Sequence, residues 1–175
     1  MDRVSLYDDD IYAWSREQAE ALRRLAATRP DLPNDLDVAN IAEEIEDVGK
    51  SELHRVESFL ELLLRHLLKV ASVPDARPAR HWMVEIEIQH GSAVKEYRRS
   101  MRQAIDLDDL WHRAALRAGA SLEDHGDRLL EGLPASCPFS LDHLCDRRFD
   151  PREAVRRIRD LASPPGSEER AGDVA

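Results

Sequence analysis

No proline interrupts the chain between Pro33 and Pro74, and this stretch constrains the fold most. At about 100° per residue, Ile41, Ile45, Val48, Val56, Phe59, Leu63, Leu67 and Val70 fall on one face. The pattern predicts one long helix over about Asp37–Ser72, ended by Pro74. Gly49 lies at the edge of that face, where a missing side chain lets another backbone approach closely. Such a helix needs helical neighbours to cover its stripe.

The neighbours read as helices too, and no alternating strand pattern is evident. A first helix follows the Asp8-Asp9-Asp10 cap and runs to about Thr28, before Pro30, with Ile11, Trp14, Gln18, Leu22 and Leu25 on its stripe. A third is expected over about Arg77–Ile105, with Trp82, Ile86, Ala93, Tyr97 and Met101 inward. A fourth starts near Asp108, carries Leu110, Trp111, Ala114, Ala118, Leu122 and Leu129, and ends by Gly132 and Pro134. Ser140 caps a short helix and Pro151 opens another. The expected fold is all-α: an antiparallel bundle of four main helices with short C-terminal helices, forming a single domain over 1–162. The composition of 163–175, beginning Ser-Pro-Pro-Gly-Ser, predicts a disordered tail.

Charge narrows the function classes. The formal net charge is −10. Residues 1–64 hold 16 acids and 7 bases, while the remainder is nearly neutral. Such a first third repels nucleic acid and anionic membranes and suits a basic protein partner. Arg156 and Arg159 share a helix edge but lack the positive field of a nucleic-acid binder. No apolar run reaches membrane-span length, because Glu61, Arg65 and His66 break the densest one, Leu60 to Leu68. Two cysteines and no apolar leader after Met1-Asp2-Arg3 point to the reducing cytoplasm.

Two candidate sites emerge. Glu43, Glu44, Glu46 and Asp47 form the densest acidity, and as a solvated helix face they suit docking of basic side chains. In an antiparallel register, His66, His90 and His125 fall within about two helical turns of one another. Three imidazoles there would hold a divalent transition metal, with an open position for activating water. Glu52, near the stripe's centre, reads as a buried carboxylate satisfied by Tyr97 or Arg98. Cys137, His143 and Cys145 lack a fourth ligand and the Cys-x-x-Cys spacing of a zinc site. The three tryptophans, one on each of three stripes, read as core anchors. No nucleophile elbow or phosphate loop is present.

The opening Tyr7-Asp8-Asp9-Asp10-Ile11-Tyr12-Ala13-Trp14, the run Asn40 to Glu52 and His66-Leu67-Leu68-Lys69 resemble the bacterial domain of unknown function 29 family. Trp82, Gln89, Leu133-Pro134 and Cys137-Pro138-Phe139-Ser140-Leu141 continue the likeness over about residues 7–151. The resemblance implies an all-helical domain and brings no activity, cofactor or substrate. His90 stands where the family pattern after Gln89 has a basic residue. The leading expectation is a non-enzymatic interaction or adaptor module without a cofactor, binding a basic protein and open to homo-oligomer formation. The alternative is a metal-dependent enzyme built on the three histidines.

Overall fold

The computed structural model describes residues 3–29, 31–33 and 35–162, with side chains from residue 6 onward. Among these, all regular structure is helical: α1 Arg3–Asp9, α2 Ile11–Thr28, α3 Val38–Ser72, α4 Ala79–Glu96, a 3-10 helix Arg99–Gln103, α5 Leu107–Glu123, α6 Leu141–Leu144 and α7 Pro151–Ala162. The tail expected over 163–175 lies outside the described residues. The described residues fall into two compact units, one within 1–58 and 95–105 and the other within 59–94 and 106–175.

In the first unit, Asp10 caps α2 as expected, its carboxylate accepting from the Ala13 N–H at 2.9 Å. The same oxygen accepts from Ser100 Oγ at 2.9 Å. The short helix α1 before this cap is an addition to the sequence reading. α2 buries a narrow, small face of Tyr12, Ser15 and Ala19. The facing part of α3 buries Val38, Ala42, Gly49 and Val56. This corrects the expected stripe: Ile41 and Val48 are exposed and Ile45 is half-buried. Small residues let the two backbones close up, so Ala42 and Gly49 define the contact and the larger residues are left beside it.

The expected third helix is broken. α4 stops at Glu96, Arg98 turns extended, and the 3-10 helix follows. The Arg98 guanidinium donates to the carbonyls of Lys95 at 2.8 Å, Tyr97 at 3.1 Å and Asp9 at 2.6 Å. Carbonyls that the helix would have paired are satisfied by that side chain instead.

The second unit holds the larger core. Leu60, Leu63, Leu64, Leu67 and Leu68 of α3 are fully buried. They follow the i, i+3, i+4, i+7, i+8 pattern of a wide helical stripe. Each contributes roughly 1.5–3 kcal/mol. Ile86 and Ala93 of α4, Trp111, Ala114 and Ala118 of α5, Leu144 and Ile158 complete this core. Asp106 caps α5, accepting from Asp108 and Asp109 N–H groups at 3.1 Å. α5 ends at Glu123, earlier than the pattern through Leu129 predicts, and turns follow. Trp111 Nε1 donates to the Pro134 carbonyl at 2.9 Å, tying that segment to the core. Ser140 caps α6 and Pro151 opens α7, as expected.

The buried carboxylate is Glu61, not Glu52. Glu61 is 8% exposed and pairs with Arg113 at 3.3 Å and with Arg117. Glu52 is half-buried and pairs with Arg55 at 3.3 Å on its own helix. Trp82 and Trp111 are core residues, whereas Trp14 is half-buried and meets Tyr7 edge-on at 4.8 Å between ring centroids.

Candidate functional site

The acidic run sits on the first half of α3, within the first unit. Its four members have different neighbours. Glu46 pairs with Arg23 of α2, and this hydrogen bond holds the carboxyl below its ordinary value. Asp47 accepts from Lys50 Nζ at 2.8 Å and raises the lysine's pKa. Glu43 and Glu44 are exposed and have no ion-pair partner among the described residues. Two of the four charges are thus turned to neighbours in the same unit, and two face solvent. Beside them a polar cavity of about 500 Å³ is lined by Tyr12, Arg16, Glu17, Glu20, Arg23 and Glu46. Arg16 lies over the Tyr12 ring, 5.6 Å from its centroid.

The three histidines all fall in the second unit, but they are not gathered into a metal centre. Among the described residues, no group of three or more His, Cys, Asp or Glu side chains is placed to hold a metal ion. His90 Nε2 lies 2.9 Å from the Asp146 carbonyl, and its ring stacks on Phe149 at 4.9 Å. His125, in the turn just after α5, has its Nδ1 2.9 Å from the Ser121 carbonyl in the last turn of that helix. His66 is 9% exposed, and its Nδ1 has no hydrogen-bond partner among the described residues. Each of the three histidines thus has its own environment among the described residues. His143, set between Phe139 at 5.7 Å and Phe149 at 5.5 Å, belongs to an aromatic group that the sequence pattern did not reveal.

Burial, with Arg65 and Lys69 adding to it, pulls His66 down from 6.5 to about 4. In the unfolded chain this histidine takes its proton near the higher value. Between the two values the unfolded state therefore binds more protons, and stability falls as pH drops from about 6.5 towards about 4. Below that window the loss levels off. Replacing His66 with leucine should remove on the order of 2 kcal/mol of this pH dependence, after discounting for solvent screening. Urea denaturation of both proteins at about pH 7.5 and about pH 4.5 checks it. Equal pH dependence in the two would show that His66 is not responsible.

The thiols offer no nucleophile. Burial pushes Cys137 up to about 11 and Cys145 up to about 12, so both stay protonated at neutral pH. An apolar cavity of about 510 Å³ beside α5 is lined by Trp111, His112, Leu116, Gly119, Leu129 and Leu133, among others. Lys69 Nζ sits 4.4 Å from the Trp82 ring centroid and donates to Ser121 Oγ at 3.0 Å. Among the described residues, no helix is long and apolar enough to cross a membrane.

Residues 6–150, from α1 to the threshold of α7, match the family described as domain of unknown function DUF29. The chain belongs to the DUF29 family. It is also similar to a crystal structure of an alpha-helical protein of unknown function from Rhodospirillum rubrum ATCC 11170. The two are 34% identical, the likeness covers 87% of this chain and 96% of that chain, and the TM-score is 0.80. No curated protein matches the chain. The solved relative is alpha-helical, as the described residues of this chain are, and neither description names an activity.

Proposed function

We propose that this DUF29 chain is a non-enzymatic, cytoplasmic protein–protein interaction module that presents the acidic surface of α3 to a basic partner. The observation carrying this reading is the pair Glu43 and Glu44, exposed and without ion-pair partners among the described residues. Glu46 and Asp47 extend the surface, although Arg23 and Lys50 already offset part of their charge. An exposed pair of charges adds little to folding stability and acts mainly on encounter and selectivity.

The double change Glu43→Gln with Glu44→Gln tests it. Capture of a basic partner from lysate should fall several-fold and become less salt-sensitive, while helicity and thermal stability are retained. Glu46→Gln should weaken capture less, since it removes one carboxylate where the double variant removes two. Unchanged capture by the double variant at low ionic strength would exclude this surface.

A further inference from the structure

The exposed apolar residues of the first unit are ordered along the same two helices. Arg23 lies to one side of the Ser15–Ala19 face of α2, and Leu22 and Leu25 lie to the other, at about 100° per residue. On α3, Glu46 lies to one side of the Ala42–Gly49 face, and Ile41, Ile45 and Val48 lie to the other. Arg23 meets Glu46, so the charged sides of the two helices coincide. The two apolar sides must then coincide on the opposite face of the pair. Leu25 is 39% exposed, Ile41 39% and Val48 45%, while Leu22 and Ile45 are half-buried between them. Ile41, Ile45 and Val48 are spaced i, i+4, i+7, the spacing of a helix seam that takes another helix.

The charge at the rim indicates the occupant. Asp37 and Glu44 border the stripe on α3, and neither has an ion-pair partner among the described residues. A second copy would bring the same acids against this rim. From this we infer that the apolar face of α2 and α3 is a groove for an amphipathic helix of a partner protein, with apolar residues on one side and Lys or Arg on the flank that meets the rim of α3. The inference rests on the interaction reading above and specifies the partner's chemistry. It also moves the anchoring contacts from the acids to Ile41, Ile45, Val48 and Leu25, with Glu44 acting at the edge. Buried apolar anchors ringed by complementary charge are the usual source of affinity in such interfaces.

The probe is a synthetic helix of about 18 residues, the length of α2, made only of leucine and lysine with leucines at i, i+3, i+4 and i+7. A control peptide has the same composition in scrambled order. Titration calorimetry with the full chain at about 0.15 M salt should show the ordered peptide binding at least about tenfold more tightly. Val48→Asp and Ile41→Asp, both at exposed positions, should each remove about tenfold of that affinity with circular dichroism unchanged. Equal binding of the two peptides, weakened by Glu43→Gln with Glu44→Gln, would overturn the groove and leave the acidic surface standing. Binding of neither peptide would overturn both. Sedimentation showing a dimer that Val48→Asp dissociates without peptide would assign the face to a second copy and overturn the inference.

Discussion

Gly49→Ala should destabilise the protein by about 2 kcal/mol, although alanine is the better helix former by about 1 kcal/mol. A Cβ at this position runs into Ser15 Oγ and comes to 3.4 Å from the Tyr12 carbonyl oxygen. Ser15 is fully buried, and its hydroxyl already donates to that carbonyl at 3.0 Å. The hydroxyl has to leave its rotamer and its partner to make room, or α2 and α3 have to part. The contact is specific enough to be repaired. Ser15→Ala removes the obstructing oxygen, and the remaining Cβ contact of 3.4 Å is close but tolerable. Combining it with Gly49→Ala should therefore recover about 1 kcal/mol or more relative to the sum of the single changes. Thermal or urea unfolding of the four proteins in the cycle gives the answer. Strict additivity, or a Gly49→Ala variant as stable as the parent, would show that the close approach of the helices is not what requires glycine.

Gly132→Ala should cost still more, about 3 kcal/mol, because two effects add in the second unit. Gly132 has φ 76°, a left-handed conformation that a side chain disfavours by about 1 kcal/mol. A Cβ there would also stand 2.6 Å from the carbonyl oxygen of Ala162, the last residue of α7. Backbone cannot rotate aside as a hydroxyl can, so the end of α7 must shift or the 132 turn must open. Gly91 provides the contrast. It lies within α4 with open space around its Cα, so Gly91→Ala should stabilise by up to about 1 kcal/mol through helix propensity. Opposite shifts in unfolding midpoint for the two alanine variants would separate the conformational cause from any general effect of glycine replacement. Matching shifts would refute the account of Gly132.

The helical elements were legible where the chain carries explicit stop and start chemistry. Asp10, Ser140 and Pro151 mark helix starts, and Pro74 follows the end of the long α3, within a residue or two of the structure. The break after Glu96 was not legible. No proline or glycine marks it, and the guanidinium that pairs with the carbonyls there reaches back to one 89 residues earlier. The false stripe on the first half of α3 has a similar origin. Periodicity weights Ile41 and Val48 above Ala42 and Gly49, whereas a close helix contact selects the small pair. For the candidate surface, the acidity of Glu43 to Asp47 was plain in the composition. Which members face solvent was not, because Glu46 meets an arginine 23 positions away. The exposed apolar face escaped the pattern for the same reason as the stripe, since a residue assigned to the core is not looked for on the surface.

The pinning of Arg98 and Ser100 to Asp9 and Asp10 has a consequence for how the protein is made. The first unit is discontinuous, and its closing segment, residues 95–105, is translated after the 36 residues of the interposed piece 59–94. At about 5–20 residues per second, a ribosome needs roughly 2–7 s to cross that piece. During this interval α2 and the emerging half of α3 stand without the segment that completes them, their apolar side and acidic side both in water. The acidity of the first third then has a second effect, keeping an unfinished helix pair from adhering to other nascent chains until residue 105 has left the tunnel.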